Sequence, residues 1–280
     1  MKDRIINRLL KIFKGYKLLK NSDNIMFLSG EDCRAMVLCK IPLPEVVIKS
    51  IDKEKKTAQI CCVNNEYKKS LLDRCITFND EIIGVIRKNE NKENECFAQL
   101  FYANRPDTAD ICTMLENVGY AENKIFGKNI FLEIPLIFAE KCGILLKDKN
   151  VCFAFSFSDE GLISALKQIA PEKAAFCYPA AADNSFSLEN GAGFVLKDGG
   201  FMLNLEVKEN ALKRIKEKDI KAQMFAKSQS DIVLKLSVFG NCKDTFGITV
   251  PVEYYETACP VADIKDIENA ARLTEILTEG

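Results

Sequence analysis

Histidine is missing from this sequence: none of its 280 residues is a histidine. Histidine is the usual general base, a common metal ligand and the one side chain that titrates unaided near neutral pH. Its absence excludes the catalytic triads, dyads and zinc sites that depend on imidazole. The motifs therefore predict no catalytic residue, no metal ligand and no cofactor, and function has to be approached by exclusion.

Long apolar runs are also absent. No stretch approaches the eighteen apolar residues of a membrane-spanning helix, and the longest nearly apolar one, residues 130–139, contains Glu133 and Pro135. Near the N-terminus, charged residues recur every three or four positions and interrupt any apolar segment of a signal peptide. We therefore expect a cytoplasmic protein, and a peripheral location at a membrane stays open.

The sequence has little net charge, −1 at pH 7, and a calculated pI near 5.9. A nucleic-acid-binding protein needs basic surface to displace counterions from phosphates, so we expect no nucleic-acid partner. The charge is unevenly placed, however, because residues 1–20 hold seven basic residues and one acidic residue. A cationic N-terminal segment thus precedes a mildly acidic body.

That N-terminal segment predicts one amphipathic helix over residues 2–20. Its apolar residues cover about half of the helical wheel, and Arg4, Arg8, Lys11 and Lys14 occupy the opposite arc. Such a helix suits the headgroup region of an anionic membrane. It equally suits docking onto the body of its own chain or into a groove of a partner protein. We predict these four cations as a surface for a protein partner or a membrane.

Twelve cysteines are present, without any C-x-x-C spacing. In a chain with no recognised export signal, reduced and mostly buried thiols are the expected state. The alternative is an enzyme that works without histidine through a cysteine thiolate, as a transferase or hydrolase. A thiolate at neutral pH needs a nearby cation or a helix N-terminus. The candidates are Cys33 beside Arg34, Cys75 beside Arg74, and Cys112 early in a predicted helix.

Glycine and carboxylate motifs add no chemistry. Gly191-Ala-Gly193 lacks the third glycine of a dinucleotide-binding loop and leads into a predicted strand rather than a helix. Pairs of acids such as Asp159 and Glu160 could serve acid–base catalysis if they faced each other in a cleft. These acids fall at turns and helix starts, however, where carboxylates are expected in any case.

The rest of the sequence alternates hairpins with helices, a pattern typical of α+β domains with antiparallel sheets. One helix is predicted over residues 107–118, where Pro106 and Asp107 suit a first turn. Further strands are predicted over residues 143–146 and 151–157. Ser158 then caps a helix that Pro171 ends.

We predict an α+β fold with two lobes of mainly antiparallel sheet and an N-terminal amphipathic helix. The expected division is a basic helix over residues 1–22, an α+β domain of unknown type over residues 23–125, and a second α+β domain over residues 126–280. The boundary is set in the aperiodic segment 119–128, which contains two glycines.

Three stretches of the second half resemble the SseB family. They are residues 143–166 (GILLKDKNVCFAFSFSDEGLISAL), 191–215 (GAGFVLKDGGFMLNLEVKENALKRI) and 219–236 (DIKAQMFAKSQSDIVLKL). Each is similar to that family's strands, turns and helix starts, and together they place the resemblance over roughly residues 131–257. The resemblance implies a non-enzymatic role in protein interaction, as an adaptor or regulator, and it supplies no catalytic residues.

Overall fold

The structure of the protein is a computed structural model. It describes residues 2–21, 24–30, 32–42, 45–63, 71–79, 81–89, 96–101, 107–115, 118–147, 149–257 and 259–279. The helices of these residues are α1 (Lys2–Ile12), α2 (Ile130–Leu145), α3 (Asp159–Ile169), α4 (Leu205–Glu217), α5 (Ile232–Phe239) and α6 (Ile264–Thr278).

The strands of the first half are β1 (Lys17–Lys20), β2 (Asn24–Leu28), β3 (Ala35–Lys40), β4 (Glu45–Asp52), β5 (Thr57–Cys62), β6 (Cys75–Phe78), β7 (Glu81–Lys88), β8 (Cys96–Leu100), β9 (Ile111–Leu115), β10 (Gly119–Ala121) and β11 (Lys124–Phe126). Those of the second half are β12 (Val151–Ser156), β13 (Lys173–Ala181), β14 (Ala192–Asp198), β15 (Phe201–Met202), β16 (Ala222–Lys227), β17 (Asp244–Glu253) and β18 (Val261–Asp263).

Twelve strands form one mixed sheet in the order β1-β2-β12-β3-β13-β17-β18-β11-β10, and β14, β15 and β16 extend it beside β17. The four central strands β12, β3, β13 and β17 run parallel. They are nearly continuous apolar runs that are buried along most of their length, which is typical of parallel strands covered on both faces.

Helices cover both faces of this sheet. One apolar core lies beneath α1, α2, α4 and α6, and includes Leu9, Phe138 and Ile276. A second core lies beneath α3 and α5, and includes Leu162 and Val233. The protein is thus a mixed α/β structure with a three-layer body, a broad architecture that agrees with the expected combination of helices and extensive sheet.

The remaining six strands close into a small antiparallel barrel in the order β4-β5-β8-β7-β6-β9. It leaves the sheet after β3 and returns to it at β10, and it has an apolar core of its own that includes Ile48, Ile76 and Met114. The predicted helix over residues 107–118 is wrong, because residues 111–115 form β9. That strand pairs with β4 and β6 to close the barrel.

Two other expectations differ from the structure. The expected antiparallel pairing is found in the barrel but not at the centre of the large sheet, whose strands are parallel. The predicted boundary between residues 125 and 126 does not coincide with a break in the fold. The strands β2 and β3 from one side of it pair with β12 from the other.

The N-terminal helix is shorter than expected. α1 ends at Ile12, and residues 17–20 form β1 at the sheet edge instead of continuing the helix. Gly15 adopts a φ of +98°, a conformation that glycine reaches without a steric penalty and that redirects the chain from helix to strand. The predicted strand over residues 143–146 is also wrong, because most of that segment is the last turn of α2.

The apolar face of α1 is part of the core, so small cavities there should destabilise the protein. Ile5 is 3% exposed, whereas Ile144 on α2 is 68% exposed. We expect Ile5→Val to lower the free energy of unfolding by about 0.5–1.5 kcal/mol, and Ile144→Val, the same chemical change, to leave it nearly unchanged. Urea unfolding followed by circular dichroism measures both. Equal stabilities of the two variants would show that α1 does not pack as described.

Among the described residues, no helix combines the length and the apolar character needed to cross a membrane.

Candidate functional site

A cleft of about 470 Å³ lies at the carboxyl ends of the parallel strands β3 and β13. This is the edge at which open α/β sheets bind ligands, because the strands end there and the loops diverge. The residues that line it are Lys40, Pro42, Phe131, Asp159, Phe176, Tyr178, Pro179, Ala181, Ser228, Gln229, Ser230, Ile232, Tyr255 and Glu256. We take this cleft as the candidate functional site.

A buried carboxylate fixes one wall of the cleft. Asp198, at the end of β14, is fully buried and accepts a hydrogen bond from the Tyr178 hydroxyl. Its Oδ1 atom also accepts from the backbone N–H groups of Gln229 at 2.7 Å and Ser230 at 2.8 Å. The Asp198 carboxylate therefore ties the loop that leads into α5 to the sheet, and the Gln229 side chain adds hydrogen bonds to the backbone of Ala181 at the end of β13.

The Tyr178 hydroxyl remains protonated at neutral pH. Burial raises the pKa of Tyr178 well above its ordinary value, and the hydrogen bond to Asp198 and the charge of that carboxylate raise it further. The ring of Tyr178 stacks on Phe176, with the two centroids 5.3 Å apart. Tyr178 thus acts as a rigid hydrogen-bond donor inside the cleft wall.

Opposite charges meet at the mouth of the cleft. The Asp159 carboxylate, in the first turn of α3, lies 3.2 Å from Lys40 Nζ and 3.3 Å from Lys235 Nζ. Lys40 is the last residue of β3, and Lys235 lies on α5. The side chains of Lys40 and Asp159 are mostly shielded from solvent, at 24% and 22% exposure. Two ammonium groups therefore share one carboxylate in a partly desolvated position.

Aromatic rings form the apolar side of the cleft. Phe131, at the start of α2, meets Tyr255 edge to face with the two ring centroids 4.8 Å apart. Tyr255 follows the end of β17 after Tyr254, which has a left-handed φ of +52°. A ligand in the cleft would thus find apolar surface and charged groups side by side, as is common in small-molecule and peptide sites.

A larger cavity, about 660 Å³, lies at the opposite edge of the sheet, beside the amino ends of β3, β12 and β13. Ion pairs and hydrogen bonds to Glu279 cross it: Lys149 Nζ lies 2.7 Å from the Glu279 carboxylate, and Lys173 Nζ donates to its carbonyl at 2.9 Å. Because the chain's own residues bridge this cavity and parallel strands present ligand sites at their carboxyl ends, we assign function to the smaller cleft.

None of the four predicted surface cations lines this cleft. Arg4, Lys11 and Lys14 are exposed on α1 and the turn after it, while the apolar side of α1 packs on the core. Arg8 pairs with Glu133 of α2, with Nη1 and Oε2 2.7 Å apart. The helix therefore docks onto its own chain, one of the alternatives that the sequence leaves open. Contact of these cations with a partner or a membrane stays a prediction.

The candidate nucleophilic cysteines do not reach the cleft. Cys33 is buried before β3, while Cys75 and Cys112 belong to the barrel. Burial raises the pKa of Cys112 to about 12, the opposite of what a nucleophilic thiolate needs. Burial likewise raises the pKa values of Cys39, Cys142 and Cys177, which lie together in the core beneath the sheet.

Thiol labelling checks this description. In the folded protein we expect N-ethylmaleimide to modify the exposed residues Cys61 and Cys259, whereas Cys39, Cys142 and Cys177 should react only after unfolding in urea. Peptide mass spectrometry after a short pulse identifies the modified positions. A buried thiol that labels as fast as Cys61 in the native protein would contradict the structure and revive the thiolate hypothesis.

Comparison with solved structures identifies the fold. The whole chain matches 90% of an aminopeptidase from the archaeon Desulfurococcus kamchatkensis, with a TM-score of 0.83 and 15% sequence identity. It covers 94% of the TET1 peptidase of Pyrococcus horikoshii, with a TM-score of 0.80 and 13% identity. An endoglucanase from Thermotoga maritima matches over 91% of its chain, with a TM-score of 0.74 and 16% identity. No protein-family model and no curated protein matches the sequence. The chain thus shares its fold with these three solved structures.

This finding corrects two sequence-based conclusions. The resemblance to the SseB family is wrong, because the structural neighbours are peptidases and endoglucanase-like proteins that match the chain from end to end. The expected non-enzymatic adaptor is overturned with it, since that role followed from the resemblance. The stretches that suggested SseB are turns and strand–helix junctions that many α/β folds share.

Two-metal centres occur among aminopeptidases and need carboxylate or imidazole ligands that converge on ions about 3.5–4 Å apart. The last residues of the four parallel strands are Lys40, Ser156, Ala181 and Glu253, so only one of them offers a carboxylate. Within the described part of the chain, no three Cys, Asp or Glu side chains come together as a metal site would require. The residues that the structure describes do not fit a two-metal centre.

Sequence reasoning missed most of the cleft. The sequence marks Asp159 only as one of two acids at a helix start. The other, Glu160, is exposed in the structure. Lys40 and Tyr178 carry no motif at all. The available signal is their position, because each of these two residues lies at or near the carboxyl end of an apolar strand. That position indicates a site only when the strands are known to be parallel neighbours.

Proposed function

We propose that this chain is a peptidase-like protein that acts on peptides, and that peptides bind in the cleft at the carboxyl ends of β3 and β13. The observation that carries the proposal is the match of the chain over nearly all its length to aminopeptidases and a peptidase, together with a cleft at the ligand-binding edge of the sheet. The D. kamchatkensis aminopeptidase and the P. horikoshii peptidase share this architecture over at least nine-tenths of their length.

The chemistry of the cleft suits a short peptide. Lys40 can donate hydrogen bonds to a carbonyl or carboxylate oxygen, and Asp159 can accept from an amino group. Phe131 and Tyr255 offer apolar surface for a side chain. The loop held by Asp198, residues 228–230, lines the cleft beside them. Charged ends and an apolar side chain are the features that distinguish a peptide from most other small ligands.

Hydrolysis of the bound peptide is a second candidate function, favoured by the neighbours that are named aminopeptidases. Without histidine, proton transfer would fall to lysine, tyrosine or a carboxylate. The groups of those types that line the cleft are Lys40, Asp159, Tyr178, Tyr255 and Glu256. Tyr178 is a poor acid for this scheme, because its hydroxyl donates to Asp198 and its raised pKa disfavours loss of the proton.

A two-lobe organisation, expected from the sequence, enters the proposal as well. The barrel, residues 45–115, would be the smaller lobe, and the large sheet with its helices would be the lobe that carries the cleft. Among the described residues, those that line the cleft all lie outside the barrel. Peptide binding would then be a property of the larger lobe.

Fluorescence anisotropy with labelled tripeptides tests the proposed function. The full chain should bind Ala-Leu-Ala carrying a fluorophore, an unlabelled copy should compete, and free fluorophore should not bind. Mass spectrometry of the same mixtures after prolonged incubation reports any cleavage. Absence of binding across tripeptides with apolar, acidic and basic central residues would overturn the proposal, and binding without products would exclude hydrolysis.

A further inference from the structure

We infer that this cleft works without a bound divalent metal ion, and that the ammonium group of Lys40 supplies its fixed positive charge. The inference rests on the proposed function only in taking a peptide as the ligand. Its own basis is the set of side chains that the fold brings to the carboxyl edge of the sheet, which differs in kind from the ligands of a metal centre.

The first step is the identity of the strand ends. Parallel strands deliver their last residues to one edge, so a metal site built there would draw its ligands from those positions or from the loops just after them. Here the strands end in Lys40, Ser156, Ala181 and Glu253. The Ser156 hydroxyl accepts a hydrogen bond from the backbone N–H of Ser158 and so belongs to the start of α3.

The second step concerns the acids at the cleft, which are Asp159 and Glu256 in its lining and Asp198 in its wall. Among the described residues, Glu256 does not come together with two further Cys, Asp or Glu side chains as a metal site would require. Both carboxylate oxygens of Asp198 are engaged within the protein, because they accept hydrogen bonds from the Tyr178 hydroxyl and from two backbone N–H groups of the loop before α5. Asp159 lies between Lys40 and Lys235, 3.2 and 3.3 Å from their ammonium groups. A divalent cation on Asp159 would have to displace both lysines or lie against their positive charges.

The third step is that Lys40 can take over part of the role of a cation. It reaches the cleft from the end of a central, buried strand, so its position is fixed by the sheet. The ion pair with Asp159 holds the Lys40 side chain in a partly desolvated place. There an ammonium group interacts more strongly with an incoming carbonyl or carboxylate oxygen than it would in water. The structure thus assigns to Lys40 the contact with the ligand's oxygen.

Two measurements on the full chain test this inference. Purified protein is dialysed against Mn²⁺, an ion that prefers carboxylate ligands, then freed of excess ion and analysed by mass spectrometry for metal content. Tripeptide binding is measured in parallel, with and without EDTA. We expect far less than one Mn²⁺ per chain, and the same peptide Kd within twofold in both buffers.

Retention of one or more Mn²⁺ per chain that is lost in Asp159→Asn would overturn the inference, as would a loss of peptide binding in EDTA that Mn²⁺ restores. Manganese is used rather than zinc because thiols favour zinc, and zinc bound to any of the twelve cysteines would obscure the metal content of the cleft. If no peptide binds in either buffer, the proposed function fails. The metal content then still decides whether the cleft holds an ion.

Discussion

Replacing Lys40 by methionine is expected to weaken tripeptide binding about 10- to 100-fold. A hydrogen bond to a charged group contributes about 1.5–3 kcal/mol, and methionine keeps most of the length of lysine while it removes the ammonium. Lys40 ends β3 at the mouth of the cleft, 3.2 Å from Asp159. The ligand should therefore lose a direct partner, and Asp159 should repel an incoming carboxylate more strongly.

Lys235→Met is the matched control for this variant. Lys235 pairs with the same carboxylate at 3.3 Å, but its side chain is 47% exposed and it does not line the cleft. Exposed ion pairs contribute little, so its effect on the peptide Kd should stay below about threefold. Anisotropy titrations of both variants, each checked for native circular dichroism, give the comparison. Equal losses, or no loss for Lys40→Met, would show that Lys40 does not contact the ligand.

The second large effect is expected for Asp198→Ala, which should lower the free energy of unfolding by about 3–5 kcal/mol. The substitution leaves the Tyr178 hydroxyl and the backbone N–H groups of Gln229 and Ser230 without their acceptor, and each buried donor left unpaired costs about 1–3 kcal/mol. Part of that cost is relieved if water reaches the loop. Urea unfolding measures the change, and peptide binding should fall with it because the loop lines the cleft.

Asp198→Asn separates the hydrogen bonds from the charge. Asparagine fills the same space and keeps one oxygen acceptor, so it should lose about 1–2 kcal/mol, less than alanine. Tyr178→Phe removes only the hydroxyl that donates to Asp198, and it should likewise lower the free energy of unfolding by about 1–2 kcal/mol. If Asp198→Ala is as stable as the wild type, the carboxylate does not hold the loop, and this account of the cleft wall is wrong.

Local chemistry predicted some elements well. The strand expected over residues 151–157 is β12. Ser158 caps α3 as expected, because its hydroxyl accepts a hydrogen bond from the Gly161 N–H at 3.1 Å. In each case the signal lies within a few residues, where capping and turn formation are decided.

The parallel centre of the sheet could not be predicted in this way. β3 pairs with β12 across more than a hundred residues, and the barrel is inserted between them. Hairpin patterns describe neighbours along the chain and carry no information on such pairings. The helix expected over residues 107–118 failed for a related reason. Its capping signal was local, whereas the barrel requires a closing strand at residues 111–115.

The cleft depends on these distant pairings, so the sequence could not assemble it. Lys40, Asp159 and Tyr178 belong to three different elements, and none of them lies in a motif. The absence of histidine is informative in another way. Composition alone argues against imidazole chemistry, and the fold then decides which of the remaining polar side chains reach the carboxyl edge of the sheet.

Photo-crosslinking locates the bound peptide and so tests the central claim most directly. A tripeptide with a diazirine side chain is irradiated with the full chain, and the crosslinked residues are identified by mass spectrometry with unlabelled peptide as competitor. The account predicts competed crosslinks at Phe131, Tyr255 or residues 228–230, which line the cleft. Competed crosslinks confined to the barrel, residues 45–115, or to α1 would contradict it.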